Sequence, residues 1–295
     1  MRECIGHTGI ELTGLTTQRK LCIARFLYRG LRLVGFREQA IVRRRGVRFN
    51  LDLREGIELS LFLFRGFQRH VAPGRFFQLR RDAVIFDIGA NVGSVCLPLA
   101  ASLPESIVYA FEPTDYAFER LRLNVALNPQ LLDRIHLVQA FVSTAANEKS
   151  ELIAFSSWRV DKPLRQSLTE LESQHAVHKG IQKPATKTQI SLDDFVRSES
   201  IERVDFVKID TDGHELKVLQ GASQTLRCFR PIVVFELTKY LLQERGSRFE
   251  DYEAVLLPIG YRLIDSRRGQ QVDYRSLDRL IPHNGSIDVL ALPGR

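Results

Sequence analysis

The sequence predicts an α/β fold: a doubly wound, mostly parallel sheet of seven strands with helices on both faces, preceded by a basic N-terminal extension. Three observations carry this expectation. From residue 82 onward, short apolar runs alternate with helical segments at the spacing of βαβ units. The first of these runs, VIFDIGANVG (84–93), ends in an aspartate and a glycine-rich turn that opens a helix. The 295-residue chain, 44% hydrophobic and 26% charged, has the balance of a globular domain with ample material for a core.

Each element follows from its own pattern. QRKLCIARFLYRGLRLVGF (18–36) mixes apolar and basic residues, and Arg25, Arg29 and Arg32 recur at i, i+4 and i+7 on one helical face. That face suits either contact with anionic lipid or phosphate, or plain solvation of an amphipathic helix. AIVRRRGVRFNLDL (40–53) alternates as a hairpin would, and REGIELSLFLFRGFQR (54–69) reads as a short helix. DAVIFDIGA (82–90) is a buried strand, VGSVCLPLAASL (92–103) a helix, and SIVYAFEP (106–113) a second strand. DYAFERLRLNVALN (115–128) is a helix capped by Thr114 or Asp115, and RIHLVQAFVS (134–143) a third strand.

Residues 144–190 break the alternation and read as a polar insertion on the substrate side, with SELIAFSSW (150–158) as one strand and HKGIQKPATK (178–187) as a loop. In TQISLDDFVRS (188–198), Ser191 and Asp194 have capping-box spacing. VDFVKID (204–210) is a fourth strand, HELKVLQGASQTLRCF (214–229) a helix and PIVVFEL (231–237) a fifth strand. A helix and two strands complete the chain. This divides the protein into an extension, 1–50, and one main domain, 51–295.

Charge is unevenly placed. Of the 42 Lys and Arg, 16 lie in residues 1–80, with only 6 of the 35 Asp and Glu. That quarter carries +10 and the remainder −3. It is a candidate surface for an anionic membrane or a phosphate-rich partner. Cys4, Cys22, Cys96 and Cys228 show no metal or disulfide spacing, which suggests a reducing, cytoplasmic setting, peripheral to a membrane if the basic segment docks there. No signal-peptide core or apolar run of spanning length is evident.

The chemistry starts at the glycine turn. In a doubly wound sheet, ligands sit at the carboxyl ends of strands where the strand order reverses. Gly89, Asn91 and Gly93 depart from the Gly-x-Gly-x-x-Gly dinucleotide pattern, which argues against a pyrophosphate-bearing cofactor. The next strand ends in Glu112, nineteen residues beyond Gly93, where a carboxylate can accept both hydroxyl protons of a ribose.

Together, DIGANVG, AFEP, RLNVALN, SLDDF, VDFVKIDTDGHELKVLQGA and PIVVFEL resemble the FkbM family of S-adenosylmethionine-dependent methyltransferases, over roughly residues 50 to 240. The most specific part is KIDTDGHE (208–215). The resemblance implies that Asp87, Gly89, Ala90, Asn91 and Gly93 wrap the methionine part of S-adenosylmethionine. It implies that Glu112 holds the ribose and that Val142 and Ser143 flank the adenine. It further implies methyl transfer to a hydroxyl of a carbohydrate, glycolipid or secondary metabolite.

An alcohol needs a base, or a cation that lowers its pKa, to attack a methyl group. Asp210 at the fourth strand's tip is the first choice for base or divalent-ligand, with Lys208 on the same face holding its charge, and Glu236 on the fifth strand is a second candidate. Asp212 and Glu215 have capping-box spacing, and His214 reads as a neutral structural residue. Where the family usually has glutamate before Gly213, this chain has Asp212, which favours a capping role. Two other readings keep the same elements. One is a nucleic-acid methyltransferase that uses the basic N-terminal segment. The other is a non-catalytic membrane-surface module with an idle cofactor pocket.

Overall fold

The computed structural model describes residues 17–64, 68–145, 153–155, 159–161, 182–184, 188–281 and 285–294. Most of the insertion, the first sixteen residues of the extension and the Trp158 region lie outside the described residues.

The chain opens with α1 (Thr17–Leu33), the hairpin β1 (Gln39–Arg44) and β2 (Val47–Asp52), and α2 (Gly56–Phe64). The first half of the sheet is β3 (Val84–Ile88), α3 (Cys96–Ser102), β4 (Ile107–Phe111), α4 (Asp115–Ala126) and β5 (Ile135–Val138). Short strands follow: β6 (Phe141–Val142), β7 (Ile153–Phe155), β8 (Gln182–Pro184) and β9 (Gln189–Ile190). The second half is α5 (Leu192–Ser198), β10 (Phe206–Ile209), α6 (Glu215–Gln220), α7 (Ser223–Phe229), β11 (Ile232–Thr238), α8 (Lys239–Glu244), α9 (Phe249–Leu256), β12 (Tyr261–Asp265), α10 (Leu277–Leu280) and β13 (Ser286–Pro293).

The seven-stranded sheet runs β12-β13-β11-β10-β3-β4-β5. All pairs from β11 to β5 are parallel, and β13 lies antiparallel between β11 and β12. The order reverses between β3 and β10. Alternation within each strand feeds two cores. Ile85, Phe206 and Val234 join one face with α1 to α4, while Phe86, Val207 and Phe235 join the other with α5, α6, α7 and α9. Burial on both faces explains why these strands read as unbroken apolar runs.

The division expected at residue 50 falls inside β2, and Val47, Phe49 and Leu51 of β2 belong to the same core as Ile85 and Val108 of the sheet. Helix α4 and the residues just past its end complete the edge of β2. Asn50 N–H donates to Asn124 Oδ1 at 2.8 Å, and Arg48 N–H to Asn128 Oδ1 at 2.9 Å, so two amides one helical turn apart act as the missing strand. Beneath them the buried pair Arg120–Glu58, at 2.7 Å, ties α4 to α2. Among the described residues, no helix is long and apolar enough to cross a membrane.

Three elements differ from the sequence reading. The run 134–143 breaks after Val138, where Ala140 N–H turns back onto Val138 O at 3.1 Å; β5 stays in the sheet and β6 pairs with β9 instead. The helix expected over 214–229 is two helices. At the break, Gly221 packs so closely on Ser143 O that an added Cβ would sit 2.0 Å from it. Asp193 of α5 caps α7 there, accepting from Gln224 N, Thr225 N and the Thr225 hydroxyl at 2.7–2.9 Å. Within the region read as a loop, Gln182–Pro184 is a strand paired with Ile153–Phe155. Ser191 does cap α5, accepting from Asp194 N–H at 3.1 Å.

Candidate active site at the strand switch point

The register of the sheet brings the chosen residues into one row. Lys208 of β10 is level with Asp87 of β3 and Val234 of β11, and Asp87 is level with Ala110 of β4. Two residues further along each strand come Asp210, Gly89, Glu236 and Glu112. Glu236 in turn lies opposite Asp288 of β13. The row therefore runs Glu112, Gly89, Asp210, Glu236, Asp288 across the carboxyl ends of the parallel strands, at the point where the strand order reverses.

On the β4 side, the turn and the acid are in direct contact. Asn91 N–H donates to Glu112 Oε2 at 3.0 Å, while Glu112 Oε1 accepts from Thr114 N–H at 2.9 Å and from its hydroxyl at 2.6 Å. Thr114 holds the N-cap position of α4, but its hydroxyl serves Glu112 rather than the helix. Burial raises the Glu112 carboxyl above its usual range, against the hydrogen bonds from Thr114 and Asn91 that favour its ionised form. Glu112 Oε1 is filled by the two Thr114 donors, while Oε2, with the Asn91 N–H alone, keeps acceptor capacity for a ribose hydroxyl.

Gly89, Asn91 and Gly93 all take the left-handed conformation, with φ of +77°, +51° and +86°. Each glycine also has a close protein neighbour where a Cβ would stand. A Cβ on Gly89 would meet Asp210 O at 1.9 Å, and one on Gly93 would meet Leu97 Cδ1 at 2.1 Å. The turn is thus pressed onto β10 and α3, and Ala90 is buried within it.

Lys208 stands beside Asp210, as strand alternation suggests, and closer still to Asp87. Its ammonium donates to Gly89 O at 2.8 Å and lies 3.1 Å from Asp87 Oδ1, but 3.7 Å from Asp210 Oδ2. The Asp87 contact is chiefly coulombic, because neither Asp87 oxygen receives a well-aligned hydrogen bond. Both side chains are buried, Lys208 at 5% and Asp87 at 1% exposure. This buried pair lies directly under the glycine turn and fixes it to β10.

Asp210 faces a residue that the sequence reading missed. Gln68, in a left-handed conformation at φ +46°, donates from Nε2 to Asp210 Oδ2 at 2.7 Å, and its own Oε1 is buried without a hydrogen-bond partner. Two residues on, His70 contacts Asp288. Residues 68–70 therefore touch the row twice. Asp210, Asp212 and Glu236 each offer an oxygen within 4.8 Å of the others, a grouping suited to a hard divalent cation.

Asp212 does not form the expected capping box. It is left-handed at φ +55°, and Glu215 instead folds back onto the turn, accepting from Thr211 N–H at 2.9 Å and Gly213 N–H at 3.1 Å. His214 is buried and packs edge-on against Phe141. Val142 and Ser143 are buried at the end of β6, with Ser143 N–H bound to Ile190 O.

Burial pushes the Glu215 carboxyl up to about 7, against the backbone donors around it. The folded chain thus keeps a proton that the unfolded chain sheds near 4.5, so Glu215's contribution is complete below 4.5 and is lost as pH rises through about 7. The melting temperature is expected to fall between pH 5 and pH 7.5, and Glu215→Gln, which keeps the accepting oxygen, is expected to flatten that slope. Parallel melting curves for the two proteins would count against this assignment.

Comparison with known proteins follows the same geometry. The family described as the methyltransferase FkbM domain matches residues 87–263, more than half of the chain, from Asp87 through β12. Methyltransferase sdnD of Sordaria araneosa is 23% identical over 221 residues, covering 64% of this chain and 83% of its own. The 2-O-methyltransferase NoeI of Sinorhizobium fredii is 28% identical, with 55% of this chain and 65% of its own covered. Hexuronic acid methyltransferase AglP of Haloferax volcanii is 26% identical, with 53% and 57% covered, so the chain spans under two thirds of these last two relatives. With the turn, the acid at the tip of the neighbouring strand and the seven-stranded order in place, the chain belongs to the FkbM family of S-adenosylmethionine-dependent methyltransferases.

Proposed function

We propose that the protein transfers a methyl group from S-adenosylmethionine to a hydroxyl of a sugar, a glycolipid or a secondary metabolite. The observation that carries this is the single row across the strand tips, with Glu112 and the turn at one end and Asp210 beside them. S-adenosylmethionine, when bound, supplies a methyl already activated on a sulfonium.

The residues of the chain divide the remaining work. Glu112 would take the ribose through Oε2, and Asp87, Gly89, Ala90, Asn91 and Gly93 would line the methionine end. Val142 and Ser143 close on the adenine. Asp210 would accept the proton that the acceptor hydroxyl gives up when its oxygen takes the methyl and the methyl–sulfur bond breaks, and Gln68 fixes Asp210 by its 2.7 Å hydrogen bond. Glu236 stands beside it as the second acid. The three-acid grouping also supports a variant in which Asp210, Asp212 and Glu236 hold a divalent cation that activates the hydroxyl. Loss of turnover with a chelator, restored by magnesium or manganese, distinguishes the variant.

A sugar acceptor is supported by the names of two relatives, a 2-O-methyltransferase and a hexuronic acid methyltransferase. The test is incubation with methyl-labelled cofactor and fractionated cell extract, followed by identification of the labelled product. Label in nucleic acid, or none in any fraction while cofactor binds, would overturn the reading. Glu112→Ala is expected to weaken cofactor binding at least tenfold by calorimetry, about 1.4 kcal/mol for the lost ribose contact. Wild-type affinity in that variant would remove Glu112 from the cofactor site.

A further inference from the structure

Helix α1 is apolar on two sides. Ala24, Tyr28 and Leu31, at i, i+4 and i+7, pack on the core. Cys22, Phe26, Arg29 and Leu33 recur at the same spacing on the outer side and are exposed. A solvated basic face would not need Phe26 at 77% and Leu33 at 87% exposure. Val34, Phe36 and Ile41 continue the exposure past the end of α1 and onto β1. Of the ten large apolar side chains exposed among the described residues, five lie between residues 26 and 41. Such clustering marks an interaction surface rather than the scattered exposure of ordinary surfaces.

The charge around this surface selects the partner. Residues 22–48 contain eight arginines and one acid, Glu38, and Glu38 is paired with Arg54 at 3.0 Å. Arg29, Arg32, Arg37, Arg43 and Arg48 are exposed among or beside the apolar side chains. Arg43 and Arg48 are register partners, so they share the outer face of the hairpin with Ile41. A second copy of this chain would bring arginine against arginine. Nucleic acid would pair the arginines but leave the phenylalanines, leucine and valine in water. An anionic bilayer takes both: phosphate headgroups receive the guanidinium groups, while the apolar side chains enter the headgroup–acyl boundary.

We propose that the outer face of α1, its C-terminal turn and the β1–β2 hairpin form a docking surface for an anionic phospholipid membrane. The surface is joined to the active site through short connections. Phe36 packs edge-on against Phe62 of α2, and Arg44 donates to Leu61 O and Phe62 O. Helix α2 ends at Phe64, four residues before the Gln68 that holds Asp210. The docking itself rests on the surface alone and holds for any acceptor.

The test is co-sedimentation of the full chain with phosphatidylcholine vesicles, with and without phosphatidylglycerol, at low and physiological ionic strength. The chain is expected to sediment only with the anionic vesicles. Phe26→Ser/Leu33→Ser and, separately, Arg29→Glu/Arg37→Glu are each expected to reduce partitioning at least about tenfold while leaving S-adenosylmethionine affinity and melting temperature unchanged. Wild-type protein that stays in the supernatant with both vesicle types would overturn the proposal. So would binding that the serine variant retains in full and that salt alone abolishes. Light scattering that shows a dimer, lost in the serine variant, would replace the membrane with a second copy.

Discussion

Asp210→Asn is expected to lower methyl transfer by at least about 100-fold while cofactor affinity stays within about twofold, the signature of a lost proton acceptor. The substitution is isosteric, and its amide oxygen still accepts from Gln68 Nε2, now 2.7 Å from Asp210 Oδ2. The backbone carbonyl that abuts Gly89 is untouched, so the glycine turn keeps its shape. What disappears is the negative oxygen at the strand tip. Single-turnover rates with methyl-labelled cofactor, beside a calorimetric cofactor titration, separate the two effects. Unchanged turnover would clear Asp210 of any part in the chemistry. Glu236→Gln, measured alongside, tells which of two neighbouring acids takes the proton, since both stand in the same row on adjacent strands.

The parts of this site that were legible in the sequence share one property: each is encoded within a few residues. The aspartate, turn and glycines of 87–93 are contiguous, Glu112 closes the very next strand, and Asp210 and Glu236 end short apolar runs. Period-two alternation and strand tips were enough to find them. What was not legible depends on segments that meet only after folding. Gln68 reaches Asp210 across 142 residues, and His70 reaches Asp288 across 218. Neither 68 nor 70 sits in a pattern that marks it. The same holds for Asp193, whose capping of α7 splits a run that looks like one helix. Glu215 shows a subtler limit. Its spacing from Asp212 matched a capping box, but the left-handed backbone at Asp212 turned the acid back onto Thr211 and Gly213 instead.

Lys208 is the clearest case of a right residue with a second partner that the sequence does not show, and it yields the second large expected effect. Alternation places Lys208 and Asp210 on one face, and they lie 3.7 Å apart; sheet register, invisible to a single strand's pattern, adds Asp87 of β3 closer still, at 3.1 Å. Lys208→Met keeps the side chain's length and removes its charge. It leaves the Asp87 carboxylate buried with no cation, a loss on the order of 3–5 kcal/mol for a broken buried pair. The expected fall in melting temperature is roughly 10 °C for a chain of this size. Adding Asp87→Asn removes the stranded charge, so the double variant is expected to recover at least half of that stability, the coupling a double-mutant cycle measures. Cofactor affinity is expected to stay low in the double variant, because the turn loses the ammonium that grips Gly89 O and Asp87 loses its charge. If Lys208→Met melts within about 2 °C of wild type, or the double variant is no more stable than the single, the pair under the turn is not what secures it to β10.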